Sequence, residues 1–307
     1  MKTVSALLLA AALSVPGLGV AADPLGTVTI LEGQALIYRG TGRSHAAEGV
    51  RLLAGDIVET APATFVQVEL IDRSVVQLGP ETRVMLNASA PRQKPERSLY
   101  VLAGWVKVVT TQRDSAAGPG VDLRGESFDI PAGAAVVVLR KTTEQLELFV
   151  EAGEARVGER QKGAAASVNL RPGSFYQRKP PARGSVTGSA TPSFVTTMPR
   201  AFRDSLPLRM ERFRERQIQP KDAPAFSYTD VQDWLLAEPA VRRPLMHRWR
   251  SKASDSAFRA ALVTNLSAHP EWDPILFPEK YKPKDPVPVP ARPGLDPSGR
   301  PVGAAPP

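Results

Sequence analysis

The densest group of side chains that could bind an anion or a sugar lies between residues 242 and 250, where the chain reads R-R-P-L-M-H-R-W-R. Arginine makes forked hydrogen bonds to carboxylates and phosphates and stacks on aromatic rings. The candidate binding residues are Arg242, Arg243, Arg248, Trp249 and Arg250. Helical spacing favours a second interpretation, in which Trp249 is a core residue and the arginines form its solvated rim. We prefer this second interpretation.

No residue set typical of an enzyme accompanies this cluster. The histidines, His45, His247 and His269, lack the spacing of metal ligands, and the chain has no cysteine. The G-x-S-x-G, phosphate-loop and dinucleotide-binding motifs are absent from the sequence. Asp56 and Asp72 could form an acid–base pair, but aspartates in turns more often accept hydrogen bonds from nearby backbone amides. We therefore expect no catalytic residues, no cofactor, no metal and no enzymatic activity.

The positive charge of the chain is concentrated in its second half. The 307 residues carry a formal charge of +8. Residues 23–170 contain 16 Lys and Arg against 18 Asp and Glu, whereas residues 171–307 contain 22 against 13. Such an asymmetry indicates an anionic partner, although it is equally consistent with a role in solubility alone.

The first 22 residues predict export. A lysine at position 2 precedes an uncharged, mostly apolar run of 12 residues, and small residues end the segment at 20–22. This run is shorter than the roughly 20 residues that span a membrane, and the pattern is typical of a Sec-type signal peptide. We predict signal peptide 1–22, a periplasmic location and no transmembrane span in the mature protein. An exported protein does not meet nucleic acid, so we expect none as a partner.

Hydrophobic periodicity divides the remaining chain into four parts. Short apolar or alternating segments predict a mainly β domain over residues 23–179. The predicted strands are 27–30, 35–38, 65–70, 75–78, 83–86, 99–109, 135–139, 145–150 and 155–157. Pro, Gly, Ser and Thr dominate 180–197, which predicts a linker. A small all-α domain is predicted over 198–282, and the nine prolines of 283–307 predict a disordered tail.

The helices of the second domain are predicted from their start signals. Ser205 is expected to cap a helix that runs to about residue 214. Thr229 precedes a second helix, and Pro239 opens a third that carries the arginine cluster. Ser254 or Ser256 precedes a fourth, whose apolar side chains fall on one face at helical spacing.

A glycine-centred pattern, apolar-x-x-Gly-x-apolar-x-apolar, occurs around Gly33, Gly104 and Gly153. Glycine weakens a strand unless the backbone needs a positive φ or a close approach. We therefore predict that each of these glycines turns or kinks the chain. Gly55, which is followed by Asp56, is predicted to be a related turn.

The pattern also assigns faces to the residues that follow Gly104. Val106 and Val108 are predicted to face the core, whereas Trp105 and Lys107 point the other way. A tryptophan on an outer face is either covered or part of a binding surface. We predict that the helical domain covers Trp105.

Several of these segments together resemble the FecR domain family. The quoted elements are L-A-G-D-I-V-E-T (53–60), an alternating strand (66–70), a D-x-S turn (72–74), P-E-T (80–82), A-G-W-V-K-V (103–108), R-G-E-S-F (124–128) and A-G-E-A-R-V (152–157). The likeness covers residues 25–178. Arg73 stands where the family has glycine in its D-G-S turn, and Glu126 where it has threonine.

The resemblance implies a β-helical, coiled-β or sandwich-like domain in the Gram-negative periplasm. The best-known family members relay signals from an outer-membrane transporter to a cytoplasmic sigma factor. With no membrane span predicted, we expect instead a non-enzymatic periplasmic interaction module or signalling scaffold with a periplasmic or outer-membrane protein partner. The alternative is a protein that binds an anionic envelope polymer, either peptidoglycan or lipopolysaccharide.

Overall fold

The computed structural model describes residues 23–86, 98–110, 120–131, 133–160 and 166–282. The predicted signal peptide (1–22) and proline-rich tail (283–307) lie outside the described residues. The strands are β1 Gly26–Glu32, β2 Ala35–Arg39, β3 Gly42–His45, β4 Arg51–Leu52, β5 Ile57–Thr60, β6 Phe65–Leu70, β7 Val75–Leu78, β8 Arg83–Leu86, β9 Ser98–Val109, β10 Asp122–Gly125, β11 Phe128–Ile130, β12 Ala135–Lys141, β13 Leu146–Gly153, β14 Ala155–Glu159, β15 Ala166–Leu170, β16 Phe175–Arg178, β17 Ser185–Thr187 and β18 Lys221–Asp222. The helices are α1 Pro192–Thr197, α2 Tyr228–Leu235, α3 Pro239–Arg248, α4 Ser256–Thr264 and α5 Asp273–Leu276, with 3-10 turns at Arg200–Arg203, Met210–Phe213, Arg250–Ser254, Leu266–Ala268, Pro270–Trp272 and Pro278–Tyr281.

The strands form two sheets that share strand β9. Sheet A has the order β4-β1-β6-β7-β9-β12-β13-β16-β17. Sheet B has the order β18-β3-β2-β5-β8-β9-β10-β11-β14-β15. Among the described strands, every pairing is antiparallel except that of β9 with β10. The mainly β prediction is confirmed, and antiparallel pairing of this kind is typical of a sandwich.

Strand β9 passes from sheet B into sheet A at Gly104. Residues 99–103 pair with β8, and residues 104–109 pair with β12. Gly104 has φ +101°, and a Cβ at this position would overlap the backbone of Thr82. Gly33 joins β1 to β2 and Gly153 joins β13 to β14, so these glycines also lie where the chain changes sheets.

At two of these changes of sheet, the chain is held by the same pattern of hydrogen bonds to a threonine side chain. The Thr82 hydroxyl accepts from the amide of the residue after Gly104 (2.9 Å) and donates to its carbonyl (3.1 Å). The Thr64 hydroxyl bonds the residue after Gly33 in the same way, at 3.0 Å and 3.0 Å. Each threonine ends a Pro-x-Thr step whose middle residue has positive φ, Ala63 at 55° and Glu81 at 51° (Pro62–Thr64 and Pro80–Thr82).

Apolar side chains fill three layers of the molecule. The main core lies between the two sheets, where Val106 and Val108 face it as predicted. A second core lies between the outer face of sheet B and helices α2–α4, and it contains Trp234 and Trp249. A third covers the outer face of sheet A and is built from Ile30, Phe65, Trp105, Val138, Phe175, Phe194 and Phe202.

The segment predicted as a linker, 180–197, contains regular structure. Strand β17 pairs with β16, and helix α1 begins after the Thr191 side-chain cap. Phe194 of α1 is fully buried and packs on Trp105, with ring centroids 5.1 Å apart. Trp105 is thus covered, being 8% exposed, but much of the cover comes from α1 rather than from the helices that follow residue 198. A single buried residue in so short a helix gives no periodicity, which is why composition alone indicated a linker.

Helix boundaries differ from the predictions at several starts. The helix predicted after Ser205 is only a 3-10 turn, Met210–Phe213, because the preceding backbone binds side chains of sheet A. Helix α2 begins at a Ser227 capping box rather than at Thr229, and α4 is capped by Asp255. Helix α3 begins at Pro239 as predicted.

Candidate interaction surface

The structure divides the arginine cluster of residues 242–250 between two roles. Trp249 is fully buried, and its indole N–H donates to the Gly40 carbonyl at 3.0 Å. Arg248 donates to the Gly55 carbonyl at 2.5 Å. Burial lowers the pKa of the Arg248 guanidinium, and nearby Asp56 partly offsets this effect. These two residues therefore dock α3 on turns of the β region, and Trp249 is a core residue.

The other three arginines lie at the surface of α3 and just after it. Arg242 pairs with Glu271 at 2.9 Å, and Arg243 lies 3.7 Å from the same carboxylate. This pairing contributes to a lowered pKa for Glu271. Arg250 is exposed. With Trp249 buried, the arginines that remain exposed have no aromatic ring of this cluster on which a sugar could stack.

Asp56 and Asp72 both stabilise turns. The Asp56 carboxylate accepts from the Leu53 amide at 2.8 Å and from Arg39 Nε and Nη2 at 2.9 and 2.6 Å. The Asp72 carboxylate accepts from the Ser74 amide at 2.9 Å. Between Asp72 and Ser74, Arg73 adopts φ +68°, a conformation that glycine adopts without strain. Glycine is the residue that the FecR domain family has at this position of its D-G-S turn.

Glu59 is a half-buried carboxylate that the sequence patterns did not single out. Its two oxygens accept from Trp234 Nε1 at 2.9 Å and from the Tyr38 hydroxyl at 3.0 Å. Burial raises the pKa of Glu59, and these two hydrogen bonds oppose the shift. One oxygen joins sheet B to α2 through Trp234 and the other binds Tyr38 of the neighbouring strand β2, so Glu59 is a structural anchor. The only available signal was its place in the I-V-E-T strand, where alternation sets it on the face opposite Val58.

A segment that we name the strap, residues 199–214, crosses the outer face of sheet A. Its main chain is held by side chains of the sheet. Gln67 Nε2 donates to the Pro207 carbonyl at 3.1 Å, and Lys107 Nζ donates to the Phe202 carbonyl. The Glu69 carboxylate accepts from two consecutive amides, those of Arg209 at 2.6 Å and Met210 at 3.0 Å.

A groove of about 590 Å³ lies between the strap and the exposed end of sheet A. We name it the Ile71 groove. Leu208 is 62% exposed and Ile71 is 59% exposed, the two highest values among large hydrophobic side chains of the described residues. The residues that line it are Pro24, Gly26, Thr27, Arg51, Glu69, Leu70, Ile71, Arg73, Leu208, Met210, Glu211, Phe213 and Arg214.

Within the described ranges, no three His, Cys, Asp or Glu side chains are arranged to hold a metal ion. In the same part of the chain, none of the helices has the length and apolarity needed to cross a bilayer.

Comparison with known proteins gives a distant structural likeness. Two crystal structures of a candidate anti-sigma factor from Parabacteroides distasonis, at 1.65 and 2.50 Å resolution, match with 15% identity and a TM-score of 0.36. The match covers 43% of this chain and 59% of theirs, so this chain spans less than two thirds of their length. No family model matches the chain, and no curated protein matches it.

Proposed function

We propose that this protein is a non-enzymatic interaction module of the periplasm that serves as a signalling component or scaffold by binding another protein. The observation that carries this proposal is the Ile71 groove, which is lined by both of the two most exposed large hydrophobic side chains of the described residues. The sequence resemblance to the FecR domain family supports the signalling role and the periplasmic location.

The composition of the Ile71 groove fits a protein partner better than an anionic envelope polymer. Aliphatic side chains stand beside the guanidinium groups of Arg51, Arg73 and Arg214. Arginine and apolar residues are enriched together at protein–protein interfaces, and adjacent exposed hydrophobic residues are typical of such sites. The alternative, binding of an anionic envelope polymer, is weakened because Trp249 is buried and cannot stack on a sugar.

Photo-crosslinking tests the proposal. The photoreactive residue p-benzoyl-phenylalanine replaces Ile71 or Leu208 in the full chain, expressed in its native envelope. Val263, which is 41% exposed on α4 beyond the other sheet, is the matched control position. We expect adducts with a discrete protein from positions 71 and 208 but not from 263. Equal adduct patterns at all three positions, or adducts with glycan alone, contradict the proposal.

A further inference from the structure

We propose that the outer face of sheet A binds an extended peptide segment of a partner protein, with an acidic side chain next to apolar ones. The binding site is a second groove of about 430 Å³, named the Gln77 groove, which shares Arg73 and Leu208 with the Ile71 groove. The inference rests on the proposed function, because it assigns the chemistry of the partner that the module binds.

A row of long polar side chains forms the floor of this face. Gln67, Gln77 and Lys107 are direct cross-strand partners on β6, β7 and β9. All three are buried, although they lie on the outer face of the sheet. The row is internally linked, since Gln77 Nε2 donates to Gln67 Oε1 at 3.1 Å. Buried polar side chains of this kind need hydrogen-bond partners, either within the row or in whatever lies above the sheet.

The strap shows what kind of partner this row accepts. Gln67, Lys107 and Glu69 all bond main-chain groups of the strap, through two carbonyls and two consecutive amides. None of these bonds involves a strap side chain, so the outer face of sheet A holds the strap by its backbone. Main-chain bonds of this type provide affinity in peptide recognition, while neighbouring pockets provide specificity.

The middle residue of the row has an unused acceptor. The side-chain amide oxygen of Gln77, Oε1, has no hydrogen-bond partner among the described residues, and the residue is only 4% exposed. It lines the groove between the two points, Phe202 and Pro207, at which the strap is held by its neighbours. An acceptor of this kind requires an N–H or O–H donor, and neither a phosphodiester nor an acyl chain offers one. The backbone amide of an extended peptide supplies one.

The charges of the groove favour an acidic ligand. Arg73 is exposed and has no carboxylate partner within the described ranges. Arg203 donates to the Val195 carbonyl, and Lys107 is already paired with Glu151. Against these stands Asp204, the acidic residue of the groove. The walls between the charges are apolar, formed by Val75, Val109, Val136, Leu206 and Leu208.

The test is selection of a random dodecapeptide phage library on the full-length protein, followed by fluorescence anisotropy with the labelled consensus peptide. We expect a consensus with Asp or Glu within two positions of apolar residues. Arg73→Glu and Gln77→Met are each expected to weaken binding at least tenfold. The matched control is Arg171→Glu, which makes the same charge change at an exposed arginine outside both grooves, and it should leave affinity unchanged.

A readout on the unmodified protein covers the case in which Gln77→Met fails to fold. The side-chain amide resonances of Gln77 should shift on peptide addition, and those of the exposed Gln217 should not. Peptides that bind equally to Arg73→Glu, a basic consensus, or glycan binding without peptide selection would each overturn the inference. If crosslinks form at positions 71 and 208 while no peptide depends on Gln77, the proposed function stands and this inference falls.

Discussion

Glu59 illustrates how a half-buried carboxylate with a raised pKa can be structural. Desolvation and two hydrogen bonds act in opposite directions on its ionisation, and both oxygens are already occupied by Tyr38 and Trp234. A shifted pKa in a crevice is often a sign of catalysis. Here one partner lies on the neighbouring strand β2 and the other on helix α2, so the same features describe an anchor between a sheet and a helix.

Removal of the Glu59 side chain should destabilise the protein. Glu59→Ala leaves the indole N–H of Trp234 and the hydroxyl of Tyr38 without their acceptor, and each unpaired buried group costs about 1–3 kcal/mol. We expect the free energy of unfolding in urea to fall by about 2–4 kcal/mol. Glu144→Ala, at an exposed turn, is the control and should change it by less than about 0.5 kcal/mol.

His269 makes stability depend on pH. It is fully buried with Nε2 3.1 Å from the Tyr228 hydroxyl. Burial lowers its pKa below 6.5, an effect that Arg242 adds to and Glu271 opposes. As pH falls through 6.5, the unfolded chain gains a proton that the folded protein does not, so folding stability falls, by up to about 1.4 kcal/mol per pH unit. Urea titrations from pH 7 to 5 should show this slope, and His269→Gln should reduce it; parallel curves would contradict the assignment.

At the scale of elements, alternation located the strands with strong apolar patterns. The predicted 65–70 and 75–78 coincide with β6 and β7. Strands β10, β11 and β18 are short and mixed in composition, so their pairing depends on partners distant in sequence. The strap could not be predicted for the same reason. Its main chain is held by Gln67, which binds Pro207, and by Glu69, which binds Arg209. In each pair the two residues are 140 positions apart in the sequence.

The crossing in β9 should tolerate no side chain. Gly104→Ala places a Cβ at φ +101° against the backbone of Thr82, which combines conformational strain with overpacking. We expect a loss of at least about 2 kcal/mol in the free energy of unfolding. Gly40→Ala is the matched control, because Gly40 also has positive φ (57°) but its Cβ would meet nothing within 4 Å. Equal losses for both variants would show that packing against Thr82 is unimportant.

The strap should open when its apolar anchor is removed. Phe202 is a fully buried member of the third core, and replacement of a buried phenylalanine by alanine costs about 3–5 kcal/mol. In Phe202→Ala we expect trypsin to cleave rapidly after the strap arginines, while the rest of the fold persists. Leu208→Ala, at an exposed strap residue, should keep the slow cleavage rate of the unmodified protein. Unchanged cleavage in Phe202→Ala contradicts this anchoring role.

At the scale of the whole molecule, the helices and the β region share one core. Tyr38 and Tyr100 of sheet B pack with Trp234 and Trp249, and Arg248 reaches a turn 193 residues away. The sequence could indicate the arginine cluster but not this internal contact, because nothing in local spacing brings the Gly55 turn to α3. We propose that residues 23–179 and 198–282 unfold together.

Calorimetry checks this cooperative behaviour. The full chain should show one transition whose calorimetric and van't Hoff enthalpies agree. Arg248→Ala should lower the midpoint of that transition without splitting it, since the docking contact stabilises both regions. Arg243→Ala, at an exposed residue of the same helix, should leave the midpoint nearly unchanged. Two separate transitions in the unmodified protein would mean that the regions are independent.

Strand β9 contributes side chains to both outer surfaces of the β region. Trp105 packs against Phe194 of α1 on the outer face of sheet A, and Tyr100 packs against Trp234 of α2 on the outer face of sheet B. They lie five positions apart on one continuous backbone, about 17 Å of extended chain. A displacement of this strand along its axis would also move Tyr100, on which Trp234 of helix α2 packs. The packing surfaces of α1 and α2 are therefore joined by one strand, through the Gly104 crossing at which it changes sheets.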